Sequence, residues 1–254
     1  MIFRKPVFWI TATLLFIGGL FYSVQVFPKA FAILNVDLKM DREAAFSQSS
    51  TLAEKNNWGP DNYNQVASFS HDTRTQNFVE LDAGGVEKVS SLMQDGLYHF
   101  YTWTVRHYRE HEPNETRISF TPAGDFYGFK ETLAETEKGA ALGAGEARVI
   151  AENFVQNETS IQLSEFEAIE TSEEVMPSER IDHTFVYQRT KEQIGDGFFR
   201  LKLMVSGDKV TELKHFIKVP ETFSRRFEEM RSANNTLATS ASIAMFLLYG
   251  FGGI

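Results

Sequence analysis

Apolar and polar positions divide this chain into three parts. Val7 to Phe27 (VFWITATLLFIGGLFYSVQVF) and Leu237 to Ile254 carry no charged side chain, and residues 28–236 between them are polar, with apolar residues that alternate or recur at helical spacing. About 18 apolar residues at about 1.5 Å each just reach across a hydrocarbon core of about 30 Å. Both runs therefore predict transmembrane helices, the second either whole or truncated. Arg4 and Lys5 ahead of the first run favour a cytoplasmic N-terminus. Arg225, Arg226 and Arg231 precede the second run, but long domains cross membranes largely regardless of charge. The expectation is a multi-pass protein of the inner (plasma) membrane with residues 28–236 extracytoplasmic. A cleaved signal peptide is the alternative, because Ala30-Phe31-Ala32 has the small-x-small form of a cleavage site.

Within the polar segment, Asp41 to Asn57 reads as a helix with Ala44, Ala45, Leu52 and Ala53 near one face, ended by Trp58-Gly59-Pro60. Gln65 to Ser70 and Thr75 to Leu81 read as strands, Val86 to Met93 as a short helix after Ala83-Gly84-Gly85, and Tyr98 to Tyr108 as a strand dense in aromatic and β-branched residues. Thr116 to Thr121, a turn at Ala123-Gly124-Asp125 and Phe126 to Leu133 form a hairpin signal. The order then returns. Gly145 to Asn157 predicts a helix with Ala147, Ile150, Ala151, Phe154 and Val155 inward, and Leu163 to Thr171 a strand. Asp182 to Arg189 matches Tyr101 to Tyr108, and Phe199 to Val205 with Val210 to Val219 repeats the hairpin around Gly207-Asp208.

Helix followed by strands, twice, predicts an α+β fold: two similar modules, each an antiparallel sheet with a helix on one face, between two transmembrane helices. The boundaries that follow are 1–27 for the cytoplasmic tip and first span, 28–138 and 139–220 for the modules, 221–236 for a juxtamembrane helix and 237–254 for the second span. The modules resemble the small PepSY-type units of extracytoplasmic proteins.

The chain has no cysteine, which excludes disulfides, thiolate nucleophiles, Fe–S clusters and cysteine-bound zinc. The fold must then be held by its core, to which 23 phenylalanines contribute. A net charge of −9 without an interior basic stripe argues against nucleic acid. Asn114, Asn157 and Asn234 head Asn-x-Ser/Thr sequons, at which glycosylation is not expected.

Longer runs resemble the region preceding the catalytic core in bacterial intramembrane metalloproteases of the CPBP (CAAX-protease-like) family: FPKAFAILNVDLKMDREAA (27–45), QNFVELDAGG (76–85), YTWTVRHY (101–108), DHTFVYQR (182–189) and VPETFSRRFEEMRSANNT (219–236). The resemblance implies a non-catalytic module that gates or presents substrate to a multi-helix core bearing Glu-Glu-x-x-x-Arg. That motif is not met here. After Glu173-Glu174 the arginine position holds Ser178, and after Glu228-Glu229 it holds Ala233.

No catalytic, cofactor-binding or metal-binding residue is assigned, and no cofactor is expected. His107 and His111 are spaced His-x-x-x-His, but on a strand they would lie about 13 Å apart at about 3.3 Å per residue. His71, His99, His183 and His215 have no partner at a recognisable spacing. The glycines at 139, 143 and 145 lack both the Lys-Ser/Thr of a phosphate loop and a preceding dinucleotide-fold strand, so no nucleotide is expected. Glu221 to Asn235, begun by Pro220 and striped by Phe223, Phe227 and Met230, reads as a stalk entering the membrane. The expected partners are the lipid bilayer and a protease core or protein substrate. A non-enzymatic sensor signalling through the stalk is the alternative.

Overall fold

The computed structural model describes residues 5–30 and 32–251. Arg4, Phe31 and residues 252–254 of the second apolar run lie outside them. The chain forms two compact units, residues 1–217 and 218–254.

In the first unit, α1 (Pro6–Ala30) leads through a 3-10 turn (Ala32–Asn35) to α2 (Arg42–Asn56), β1 (Asn64–His71), α3 (Thr73–Asp82), α4 (Gly85–Gln94), β2 (Tyr101–Tyr108), β3 (Glu115–Phe120) and β4 (Phe126–Thr132). There follow α5 (Ala144–Glu158), β5 (Phe166–Val175), β6 (Ile181–Ile194), β7 (Gly197–Ser206) and β8 (Lys209–Lys218). Pro6–Phe27, with mean hydropathy 1.9, is long and apolar enough to cross a membrane, and it is the one such helix among the described residues.

The strands make one eight-stranded sheet in the order β1-β2-β3-β4-β8-β7-β6-β5. Each half is an up-and-down run of four strands preceded by a helix, and the halves meet along β4 and β8. Registered pairing there covers only Phe129 with Leu213 and Lys130 with Glu212. The hairpins β3–β4 and β7–β8 turn at Gly124 (φ +107) and Gly207 (φ +66), a backbone region that glycine enters without a Cβ clash. These are the two turns expected from the repeated Gly-Asp.

Both sheet-packing helices present alanine to the strands, which lets the backbones approach closely. Ala45, Ser49 and Ala53 of α2 and Ala147, Ala151 and Val155 of α5 are buried. They join one core with Val105, Ile118, Phe129, Leu213, Leu203 and Phe185, so both helices cover the same face of the sheet. Lys55 of α2 pairs with Glu158 of α5 at 2.5 Å. Asp41 caps α2 by accepting the Ala44 N–H at 2.8 Å, and Asn57 ends it in the left-handed region at φ +54. The next residue, Trp58, stacks on Phe129 with ring centroids 3.9 Å apart.

Thr75 to Leu81, expected as a strand, is the body of α3. Asp72 accepts the Thr75 N–H at 3.1 Å and starts the helix. Thr75, Gln76, Phe78 and Val79 are its buried positions, spaced as one helical face. Residues 163–165 form a 3-10 turn rather than the start of β5.

The connector between β4 and α5 is strapped down. Arg180 donates to Asp182 from Nε (2.8 Å) and Nη2 (3.2 Å), and from Nη1 to the carbonyls of Ala134 (3.2 Å) and Glu137 (2.7 Å). Asn114 accepts the Ala134 N–H at 2.9 Å and donates to Glu137 at 2.7 Å. The outer strand β5 exposes nine of its ten residues, among them Glu167, Glu170, Glu173 and Glu174.

In the second unit, α6 (Glu221–Phe251) runs as one helix through the stalk and into the second apolar run. Phe223 and Phe227 stack along it at 5.6 Å.

Candidate functional site

A cleft of about 530 Å³ opens on the sheet face away from α2 and α5 and reaches the β4–β8 seam. The pleat decides which side chains form its floor. Thr104, Ser119 and Gly128 alternate along their strands with the buried Val105, Ile118 and Phe129, so they point the other way. In register, Ser70 lies beside Thr102, Thr104 beside Ser119, and Ser119 beside Gly128. The next cross-strand row carries charge: Arg106, Arg117, Lys130 and Glu212 stand side by side from β2 to β8.

The other end of the cleft is aromatic, and a chain of local contacts holds it. After starting α3, Asp72 also accepts the Tyr98 hydroxyl at 2.7 Å. His99 donates its backbone N–H to the Tyr127 hydroxyl at 3.2 Å. The Tyr127 ring stacks on His215 at 4.6 Å and meets the His99 ring edge-on at 5.2 Å. His71 stacks on Tyr101 at 4.4 Å and donates from Nε2 to Gln76 Oε1 at 2.7 Å.

Burial holds four of these groups, Tyr98, Tyr127, His99 and His215, neutral at pH 7. Burial raises the Tyr98 phenol well above its usual range, and the negative Asp72 adds to the effect. Burial raises Tyr127 as well. Burial pulls His215 down to about 4, with His99 contributing, and lowers His99 against the pull of Asp125. Un-ionised phenols and neutral imidazoles over a floor of hydroxyls can donate and accept hydrogen bonds and stack on flat groups, which is binding chemistry.

The histidines that sequence spacing left isolated thus fall into different roles. His71, His99 and His215 line the cleft together. His107 and His111 part company: His107 is buried in β2 against α2, whereas His111 sits exposed in the following loop at φ +66. His107 Nε2 lies 3.1 Å from both Ser49 Oγ and Gln65 Nε2, its ring stacks on Tyr63 at 4.0 Å, and burial pulls its pKa to about 4. It belongs to a polar row of half-buried Gln65 and buried His107, Thr116 and Glu131 across β1 to β4. Glu131 there accepts from the Gly59 N–H at 2.8 Å and from Lys209 at 2.9 Å. His183 is buried and bonds the Leu142 carbonyl at 2.8 Å. Glu173-Glu174 lies on the exposed edge strand, and Glu228-Glu229 is exposed on α6. Among the described residues no three His, Cys, Asp or Glu side chains gather as a metal shell.

Sequence reasoning passed over Tyr98, Tyr127, Lys130 and Lys214, which belong to the cleft. The signal that was present is the run of small hydroxyl residues on alternate positions, Ser68 and Ser70, then Thr102 and Thr104, then Ser119. It marks the sheet face turned away from α2 and α5. Comparison with family models, curated proteins and solved structures gives no match.

Proposed function

We propose that this chain is a membrane-anchored extracytoplasmic module that binds a ligand in the cleft and presents it, without transforming it. The observation that carries this reading is the cleft itself, formed where the two strand runs meet and connected to the anchor. Its lining includes His71, Asp72 and Tyr98, which flank the α3–α4 hairpin, and α4 in turn touches both α1 and the 3-10 turn behind it. Sites between repeated halves are a frequent place for ligands.

In its specific form, the proposal takes the resemblance of several runs to CPBP-like proteases as a guide. The two halves act as PepSY-like modules that gate or present a protein substrate to a membrane-embedded core. Leu237 to Phe251 of α6 then enters the bilayer as a second span, which makes the protein multi-pass in the inner membrane. Reading the coding sequence beyond Ile254 tests this form. Further apolar spans bearing Glu-Glu-x-x-x-Arg support it. A stop codon or a soluble output domain replaces it with a sensor that signals through α6, a reading favoured by the unbroken helix from Glu221 to Phe251.

A further inference from the structure

We propose that the cleft at the β4–β8 seam selects a small anionic ligand, a carboxylate or phosphate carried on an apolar body. This rests on the ligand-binding reading above and adds the chemical class. The argument is one of unmatched charge. Each carboxylate at the cleft is already engaged: Asp72 by the Thr75 N–H and the Tyr98 hydroxyl, and Glu212 by Lys202 at 2.9 Å. Glu115, beside the cleft, is shared by Arg106 and Arg117. The cations are in surplus. Lys130 and Lys214 both line the cleft, both are exposed, and among the described residues neither has an ion-pair or hydrogen-bond partner.

Two free ammonium groups thus stand together in one cleft on a chain of net charge −9, and a cleft focuses the field of the charges that line it. A cationic ligand would meet two free ammonium groups and no free carboxylate. An anion would meet those ammonium groups, the hydroxyl of Thr102 and one remaining hydroxyl proton of the Thr104–Ser119 pair, whose oxygens lie 3.3 Å apart, as donors. The floor is flush as well. A Cβ at Gly128 would stand 2.4 Å from the Leu213 carbonyl oxygen, so the smallest residue occupies the centre of the seam. The aromatic end, half-buried His99, Tyr127 and His215, offers apolar and stacking surface to the body of the ligand. Two sources supply this chemistry, a soluble acid or the headgroup of an anionic lipid.

The test labels lysine amines on the full chain in nanodiscs of phosphatidylcholine and reads each site by mass spectrometry, with exposed Lys191 as reference. N-acetylphenylalanine should slow labelling of Lys130 and Lys214 about fivefold or more, while its neutral amide leaves them unchanged, since the charge-assisted bonds are lost. In K130Q the protection of Lys214 should fall away, and K130R should retain it. Protection in discs containing phosphatidylglycerol, with no acid added, assigns the anion to lipid headgroups. Protection only by the added acid assigns it to a soluble ligand. Equal labelling in every arm, equal protection by acid and amide, or matching protection of Lys191 would overturn the proposal. The parent reading fails separately: if a cysteine at exposed Glu110 is closed to an impermeant reagent in intact cells, the module is not extracytoplasmic, whatever the lysines show.

Discussion

Replacing Arg180 should be the most damaging single change outside the apolar core, because its charge is nearly removed from water. Its side chain and that of Asp182 are each 3% exposed, and the guanidinium makes four hydrogen bonds, two to Asp182 and two to the connector carbonyls of Ala134 and Glu137. In R180M the Glu137 carbonyl keeps the Ser178 hydroxyl at 2.8 Å. The Ala134 carbonyl loses this donor, and Asp182 becomes a buried carboxylate without its cation. Breaking such a pair from one side costs about 3–5 kcal/mol. For a domain of this size that lowers the unfolding midpoint by roughly 6–20 °C, at about 2–4 °C per kcal/mol. In R180M/D182L the stranded carboxylate is gone, and what remains is one carbonyl without its donor, about 1–3 kcal/mol. The double variant should therefore be more stable than the single one. Thermal and urea unfolding of the full chain in neutral detergent, followed by near-UV circular dichroism, measures the cycle. A double variant as unstable as R180M, or an R180M within about 1 kcal/mol of the parent, would refute the reasoning.

Three further outcomes follow from particular contacts. His107 titrates near 4 when folded, because burial disfavours its cation, and near 6.5 when unfolded. Its contribution is therefore full above pH 6.5 and is lost as pH falls from 6.5 towards 4; H107Q should flatten that part of the urea-midpoint profile, and an unchanged slope would count against it. Gly128→Ala should cost about 1–3 kcal/mol or more, since its Cβ meets backbone rather than a movable side chain at the seam; unchanged stability would mean that β4 and β8 separate freely. Deleting Pro6–Phe27 should release the protein from membranes in carbonate extraction if α1 is the principal anchor, and retention would point to α6.

The parts of the fold that were legible in the sequence are those set by neighbours along the chain. The Gly124 and Gly207 turns and the inner faces of α2 and α5 follow from local chemistry. The matching of Asp182 to Arg189 with Tyr101 to Tyr108 picks out β6 and β2 but is one residue out of phase, since Phe185 and Tyr187 face the core whereas their matched Thr104 and Arg106 face away from it. Helix α3 was misread because Phe78, Val79 and Leu81 suit a strand as well as a helix, and the Asp72 cap that decides between them lies outside the apolar run. The joining of β4 to β8 was not legible, since Phe129 and Leu213 meet across 84 positions of chain (213 minus 129). The cleft inherits that difficulty. His71, His99 and His215 look solitary in sequence because only the completed sheet brings them to one place.

The acidic edge has a consequence for life on a surface. If α1, which is long and apolar enough to cross a membrane, tethers the chain, copies of the protein are confined to two dimensions, where encounters between outer strands are far more frequent than in free solution. An open strand invites pairing with a neighbour's, and successive pairings would grow into a ribbon. Glu167, Glu170, Glu173 and Glu174 give β5 the same sign of charge on every copy, so two such edges repel before their backbones can pair, within a distance that salt sets at about 8 Å under physiological conditions. Crowded copies should accordingly stay apart in dilute salt and lose that reserve as ionic strength rises.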